Sequence, residues 1–214
     1  MFVASVLLGC GPAAPAASNL ATSPTETSGA VPSATEPGEA VDPVQAMAVG
    51  AWRAIPVDVS RAFSAPFEAG CRAAEPGLAG LFAALVDVRG ANAVDIVFVR
   101  DREAYLCRAR VDAPATPEAI TKLAVAAAAL PEDGIDVALY TLVGNGDSAR
   151  TILVGRVGTA AAHVIAGFDD ESYIFGAQSG GWYAMWWPGT ALMAAVSSTD
   201  KAHIVLTAAH ATRQ

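Results

Sequence analysis

Gly176-Ala-Gln-Ser-Gly-Gly-Trp-Tyr-Ala-Met-Trp-Trp-Pro-Gly189 holds three of the four tryptophans of an alanine-rich chain. The glycines at its start permit a turn, and Pro188-Gly189 ends it. Between these turn signals, the dense run of large side chains predicts one short β-strand over residues 181–187. The rest of the chain is expected to form the sheet and core that this strand needs.

Four large aromatic side chains on this strand point alternately to its two faces. They are Trp182, Tyr183, Trp186 and Trp187. Burial of both faces in a sandwich is favoured, because tryptophan is usually largely buried. The alternative is one exposed face that stacks on a sugar or anchors a partner protein. All four residues are therefore candidate binding residues as well as candidate core residues.

Short strands on both sides of this segment predict a mainly β domain. The further strands are expected at residues 81–89, 93–100, 104–111, 135–143, 151–157, 161–167, 172–177, 192–196 and 202–206. Gly144-Asn-Gly-Asp-Ser148 between two of them fits a hairpin loop. This regular spacing favours an antiparallel β-sandwich or curled sheet, with an α+β fold as the alternative.

Three segments have the residue pattern of short helices. Apolar residues recur at helical spacing over residues 44–55, 66–74 and 117–130. Pro66 and Pro117 each suit the first turn of such a helix. The Val-Ala run in the last segment also fits an extended strand, so helix and strand both stay open there.

The N-terminus carries a lipidation signal. Leu7-Leu8-Gly9-Cys10 follows an apolar run and resembles the bacterial lipobox, in which a peptidase cuts before a diacylglycerol-linked cysteine. The resemblance implies a lipoprotein anchored through an acylated Cys10 on the extracytoplasmic side of the membrane. No Lys or Arg precedes the run, which is short for a signal peptide, so we expect the true start codon upstream of Met1. The alternative is an apolar N-terminus on a cytosolic protein.

Composition divides the chain into a signal segment (residues 1–9), a disordered Ala/Pro/Ser/Thr tether (10–45) and one globular domain (46–214). About half of the net charge of -8 lies in the tether, at Glu26, Glu36, Glu39 and Asp42. The domain itself is therefore only mildly acidic. Because it has no basic stripe, nucleic-acid binding is not expected.

Two cysteines remain in the exported body, Cys71 and Cys107. An even pair in an oxidising compartment favours a disulfide, and two separate buried thiols are the alternative. Cys107 alternates with Leu106 and Arg108 along a predicted strand, so its side chain should point inward.

Two fragments resemble motifs of trypsin-like proteases, Thr207-Ala-Ala-His210 and Gln178-Ser-Gly-Gly181. Their order along the chain is the reverse of that family's, and Gln178 replaces the expected aspartate. The histidines are not at ligand spacing, and Asp169-Asp-Glu171 reads as a solvated hairpin tip. We therefore predict no catalytic residue, no metal site and no cofactor.

Arginines and acidic residues alternate between residues 100 and 110. The arginines are Arg100, Arg102, Arg108 and Arg110, interleaved with Asp101 and Glu103. This mixture favours a solvated face with local ion pairs over an anion site.

A resemblance to other proteins is concentrated at Gly181-Trp-Tyr183 running into Trp186-Trp-Pro-Gly189, with Arg89-Gly90 and Gly155-Arg-Val-Gly158 as weaker points. These residues resemble a group of exported proteins of unknown function from high-G+C Gram-positive bacteria. The resemblance covers roughly residues 71–200. It implies a shared extracytoplasmic β-rich domain and brings no known activity.

The sequence therefore predicts a membrane-anchored extracytoplasmic lipoprotein with a non-catalytic binding or structural role at the cell envelope. Its expected partners are the lipid bilayer, through acylated Cys10, and a cell-wall glycan or another envelope protein. A cell-envelope hydrolase or metal-dependent enzyme is the alternative. A polar catalytic pair in a cleft would favour the enzyme, and aromatic rings exposed on the domain would favour the binding module.

Overall fold

The computed structural model describes residues 43–200 and the backbone of a strand at residues 205–209. Among these residues, twelve strands form three four-stranded antiparallel sheets, accompanied by two α-helices. This confirms the predicted mainly β, antiparallel fold with few helices. Residues 40–214 group as one compact unit. The lipobox-like motif and Cys10 lie outside the described residues.

The helices and strands have the following bounds. The helices are α1 (Pro43–Val49) and α2 (Arg61–Ala74). The first sheet contains, in spatial order, β1 (Phe82–Val88), β2 (Ala93–Arg100), β3 (Glu103–Arg110) and β4 (Ala119–Lys122). The second contains β5 (Ile135–Val143), β6 (Arg150–Val157), β10 (Trp182–Pro188) and β9 (Ala177–Ser179). The third contains β12 (Val205–Ala209), β11 (Ala195–Thr199), β7 (His163–Gly167) and β8 (Tyr173–Phe175).

The second sheet lies between the other two. One core cluster joins its residues, such as Ile152, to residues of the first sheet, such as Val97 and Leu106. Another cluster joins the opposite face of the second sheet to the third sheet, with Leu153 beside Val164. The core therefore has two apolar layers, one on each side of the middle sheet.

Strand β10 is buried on both faces because a sheet covers each of them. Trp182, Ala184 and Trp186 belong to the cluster against the first sheet. Tyr183, Met185 and Trp187 belong to the cluster against the third sheet. Strict alternation of this kind is the geometry of an extended strand, as the sequence predicted. It explains how six consecutive side chains without a charge are accommodated.

A disulfide ties α2 to the outer face of the first sheet. Cys71 on α2 is bonded to Cys107 on β3, with their Cα atoms 6.2 Å apart. Both cysteines are fully buried, together with Phe67 from the helix and Ile96 from the sheet. The disulfide and the inward orientation of Cys107 agree with the prediction from sequence.

The predicted helix over residues 117–130 is wrong. Residues 119–122 form β4, which pairs antiparallel with β3, and the residues that follow are irregular. The amide of Glu118 donates to the carbonyl of Arg108 (2.8 Å), and that of Leu123 donates to Ala104 (2.8 Å). The free edge of β3 thus supplies hydrogen-bond partners to these residues, and this pairing outweighs their local helical propensity.

The other predicted elements differ from the structure mainly at their ends. The first helix ends at Val49 instead of residue 55. The second begins five residues early, at Arg61, because the Ser60 side chain caps it by accepting from the amide of Phe63 (3.2 Å). Pro66 consequently falls inside the helix. The last two strands begin three residues later than predicted.

Candidate functional site

The four aromatic residues of β10 are core residues. Their side chains are at most 7% exposed: Trp182 7%, Tyr183 0%, Trp186 0% and Trp187 3%. No ring of β10 thus presents an open face to solvent, in agreement with the favoured interpretation of both faces as core. The alternative of an exposed aromatic face is wrong, although Trp187 also lines the cavity described below. The physical reason is the third sheet, which covers the face of β10 that a single sandwich would have left exposed.

Polar atoms anchor the rings that face the third sheet. The Tyr183 hydroxyl donates to the carbonyl of Asp136 (2.8 Å), and Trp187 Nε1 donates to the carbonyl of Ala191 (3.0 Å). Burial, followed by the nearby Asp136 charge, raises the pKa of Tyr183, so its hydroxyl stays protonated as a donor. On the opposite face, Trp186 Nε1 is buried with no hydrogen-bond partner among the described residues.

An aromatic hollow of about 450 Å³ opens beside the end of β10. We define it by its four rings, Trp52, Phe168, Tyr173 and Trp187, and by Asp169 and Asp170 at its rim. The rings of Phe168 and Trp187 meet edge to face with centroids 5.1 Å apart. Tyr173 is 58% exposed, so its ring is available to a ligand. The edge of Trp187 is the one part of the predicted aromatic strand that reaches this cavity.

Main-chain hydrogen bonds hold the Trp52 side of the hollow in place. The amide of Arg53 donates to the carbonyl of Arg89 (2.8 Å), and the amide of Phe175 donates to the carbonyl of Ala54 (3.1 Å). Trp52 Nε1 also donates to the carbonyl of Trp186 (3.0 Å). The segment after α1 is therefore attached to both the middle and third sheets, which fixes one wall of the cavity.

The acidic turn between β7 and β8 forms the other wall. Asp169-Asp-Glu171 connects these two paired strands, so the predicted hairpin tip is confirmed. Asp170 accepts from the hydroxyl of Ser172 (2.5 Å) and from its amide (3.0 Å). These bonds, the hydroxyl first, lower the pKa of Asp170, so the rim is anionic at neutral pH. The hollow thus combines apolar rings with carboxylate acceptors.

A larger cleft of about 890 Å³ lies between α2, β1 and the end of β9. Ser179 and His163 both line it, together with Asp58 and Glu68. A nucleophile and its base must lie within hydrogen-bond reach, and sharing a cleft wall does not establish that geometry. His210 lies outside the described residues. The cleft therefore adds no argument for the predicted alternative of a hydrolase.

The described part of the chain contains no group of three or more His, Cys, Asp or Glu side chains placed to hold a metal ion. Between residues 43 and 200 and in the strand at 205–209, no helix is long and apolar enough to cross a membrane.

Two ion pairs are buried between the first and second sheets. Arg89 Nε donates to Asp87 (2.9 Å), and both side chains are fully buried. Arg108 donates to both carboxylate oxygens of Asp95, at 2.7 and 2.5 Å, and is itself only 4% exposed. The predicted solvated arginine face is thus wrong for Arg108, because the second sheet covers it. It holds for Arg100 and Arg110, which are exposed and paired with Glu103 and Asp112.

Sequence reasoning missed most residues of the hollow. Trp52 is more than a hundred residues away from Phe168 and Tyr173 in the chain, and the three residues share no motif. One feature of the sequence did indicate part of this site: Phe168 and Tyr173 flank the predicted acidic hairpin tip. Their proximity to Trp52 depends on the path of the chain after α1.

Comparison with known proteins adds no relative to this description. No protein-family model, curated protein or solved structure matches the chain. The resemblance at Gly181–Gly189 to exported proteins of unknown function therefore stays a prediction. The function has to be argued from the geometry of the site.

Proposed function

We propose that this protein is a membrane-anchored extracytoplasmic lipoprotein whose domain is a non-catalytic binding module of the cell envelope. The aromatic hollow is the observation that carries the binding role. The disulfide between Cys71 and Cys107 supports the location, since disulfides persist mainly in oxidising compartments. The lipobox-like Leu7–Cys10 supplies the anchor in this proposal, and the residues between Cys10 and Pro43 supply the tether. The predicted tether ended at residue 45, which is wrong by three residues because α1 begins at Pro43.

A cell-wall glycan suits the hollow better than other envelope ligands. Sugar rings have apolar C–H faces that stack on aromatic rings such as Tyr173, and hydroxyl groups that donate to carboxylates such as Asp169 and Asp170. The cavity volume of about 450 Å³ lies in the usual range for small-ligand sites. An envelope protein that inserts one apolar side chain is the competing ligand class.

Anchoring is tested by metabolic labelling with a fatty-acid analogue. Cells that express the full-length chain should incorporate label into it, and Cys10→Ala should abolish incorporation. A second acyl chain is expected, because one chain alone gives only marginal membrane affinity. Absence of label, or label that persists in Cys10→Ala, would remove the lipoprotein part of the proposal.

Glycan binding is tested by co-sedimentation of the full-length protein in detergent with insoluble cell-wall glycan. Tyr173→Ala removes the most exposed ring of the hollow and should weaken binding about tenfold, the effect of losing an aromatic contact of roughly 1.4 kcal/mol. Phe82→Ala is the matched control, because Phe82 has the same exposure, 58%, and lines the separate large cleft. Equal sedimentation of both variants and the unmodified protein would exclude the hollow as a glycan site.

A further inference from the structure

A third cavity, of about 370 Å³, opens where the edges of the first and second sheets diverge. We call it the arginine cleft, after Arg108, Arg110 and Arg150 in its lining. Arg108 and Arg110 lie two residues apart on β3, so they are on the same face of the first sheet. Arg150 begins β6 in the second sheet and approaches from the opposite side.

Arg108, which lines this cleft, has one buried donor without a partner among the described residues. Its Nε and Nη2 atoms donate to Asp95, whereas Nη1 is buried and has no hydrogen-bond partner among the described residues. Buried guanidinium N–H groups are normally hydrogen-bonded, because an unpaired buried donor loses its bonds to water without replacement. Because the ion pair with Asp95 fixes the guanidinium, Arg108 Nη1 is positioned to donate to an acceptor on a ligand.

Arg150 adds a second guanidinium at the same place. The guanidinium carbons of Arg108 and Arg150 lie 5.6 and 5.1 Å from the centroid of the same Trp186 ring. Arg150 Nη2 donates a long hydrogen bond to the carbonyl of Ala91 (3.5 Å). Burial, and next the charge of Arg108, lower the pKa of Arg150, whereas the charges of Glu118 and Asp95 act in the opposite direction.

Three carboxylates near the cleft partly neutralise the positive charge of its arginines. Asp95 and Asp112 are engaged by Arg108 and Arg110 through paired hydrogen bonds. Glu118 lines the cleft, is exposed and forms no salt bridge with the described residues. Arg150 likewise has no carboxylate within salt-bridge distance in the described part of the chain. The interior of the cleft is therefore more positive than its rim.

We propose that the arginine cleft binds one phosphoryl group, with Arg108 Nη1 and the Arg150 guanidinium as donors and Arg110 at the rim. A phosphoryl group offers three or four oxygen acceptors to guanidiniums that approach from two sheets, whereas a carboxylate offers two. Leu106, Leu139 and Ile152 form an apolar wall of the same cleft, which leaves a surface for the organic part of a phosphate ester. This site is separate from the aromatic hollow and does not depend on the proposed glycan binding.

The test is isothermal titration calorimetry of the full-length protein with inorganic phosphate and, separately, glycerol phosphate at low ionic strength. Arg150→Gln should weaken binding at least about tenfold, the loss expected for one charge-assisted donor. Arg102→Gln removes the same charge from the exposed β2–β3 turn and should leave the affinity within about twofold, because that turn lies at the far end of β3. Tighter binding of the ester would identify an organic phosphate as the ligand, and equal affinity would identify the phosphoryl group alone.

A second variant, at an exposed position, tests the proposal without disturbing the folded core. Glu118→Gln removes the opposing rim charge from an exposed position and should tighten phosphate binding several-fold. Three results would overturn the proposal: no heat with either compound, equal weakening by Arg150→Gln and Arg102→Gln, or no gain from Glu118→Gln. Tyr173→Ala should leave phosphate binding unchanged, so failure of the glycan site and failure of this site are distinguishable.

Discussion

The two sides of the middle sheet are built from different chemistry. Toward the third sheet, large polar side chains have partners: Tyr183 and Trp187 donate to carbonyls, and the Tyr140 hydroxyl accepts from the amide of Met193 (2.8 Å). On β11, the described residues provide no hydrogen-bond partner for the buried hydroxyls of Ser198 and Thr199. Toward the first sheet lie two buried ion pairs. Three buried polar atoms on this side have no hydrogen-bond partner in the part of the chain that the structure describes: Asp87 Oδ1, Arg108 Nη1 and Trp186 Nε1.

Because of this difference, substitutions at the interface with the first sheet should destabilise the protein more than substitutions at the interface with the third sheet. Removing one member of a buried ion pair leaves an uncompensated charge, which is far more destabilising than losing a neutral hydrogen bond. Arg89 is the extreme case, because it also donates to the carbonyls of Ala54 (2.8 Å) and Phe175 (2.5 Å), and at 3.4 Å to Ala184. One side chain thus connects all three sheets and the segment after α1.

Arg89→Met should have the largest effect. It removes the partner of buried Asp87 and three donors to main-chain carbonyls, so we expect the free energy of unfolding to fall by about 3–5 kcal/mol. Chemical denaturation of the oxidised protein measures this. Arg102→Met, at an exposed turn position, should cost less than about 0.5 kcal/mol. Similar losses for the two variants would contradict the assignment of Arg89 as the connection between sheets.

The second-largest expected effect is a dependence of the folding stability on pH. It should arise from Asp87, at the interface between the first and second sheets. Burial, opposed by Arg89, raises the pKa of Asp87 from 3.8 to about 6. The folded state therefore holds a proton that the unfolded state releases between about pH 4 and 6, and this contribution to stability is lost as the pH rises through that window. The loss should amount to about 2 kcal/mol between pH 4 and 7.

Asp87→Asn isolates this contribution. Denaturation at pH 4, 5, 6 and 7 should show the unmodified protein losing stability relative to the variant as the pH rises. Other carboxylates, such as exposed Asp112, are common to both proteins and cancel in the difference. Parallel pH profiles would show that Asp87 does not hold a proton in the folded state near pH 5.

The smallest expected effect comes from the matched pair Trp186→Phe and Trp187→Phe. Both replace a buried indole, but only Trp187 Nε1 donates a hydrogen bond, to Ala191. A phenyl ring at position 186 still offers a face to Arg108 and Arg150. Trp187→Phe should therefore be more destabilising by about 1 kcal/mol in thermal or chemical denaturation. The reverse order would mean that Trp186 Nε1 is satisfied in solution.

Much of the fold was accessible from local patterns. Residues 93–100 and 135–143 match β2 and β5 residue for residue, because apolar runs bounded by turn residues are a short-range signal. The disulfide was predictable because Cys71 and Cys107 are the two cysteines of residues 46–214. Residues 119–122 became a strand only through pairing with β3, so helical spacing there was misleading.

The two proposed sites were harder to predict from the sequence than the fold was. The hollow joins Trp52 to a turn more than a hundred residues later in the chain, and the arginine cleft joins β3 to Arg150. Neither set shares a motif or a period. Arg108 looked solvated because its sequence neighbours are charged, but the face it occupies is covered by another sheet.

The sequence by itself determined that Gly176–Gly189 contains an extended strand with alternating aromatic faces, because side-chain alternation follows from backbone geometry alone. It also predicted a lipid anchor, a tether and a disulfide, and the structure confirms the disulfide between Cys71 and Cys107. Only the tertiary structure decided that β10 is buried on both faces. Which faces are covered depends on how three sheets stack, and that stacking brings together residues whose separation along the chain carries no local signal.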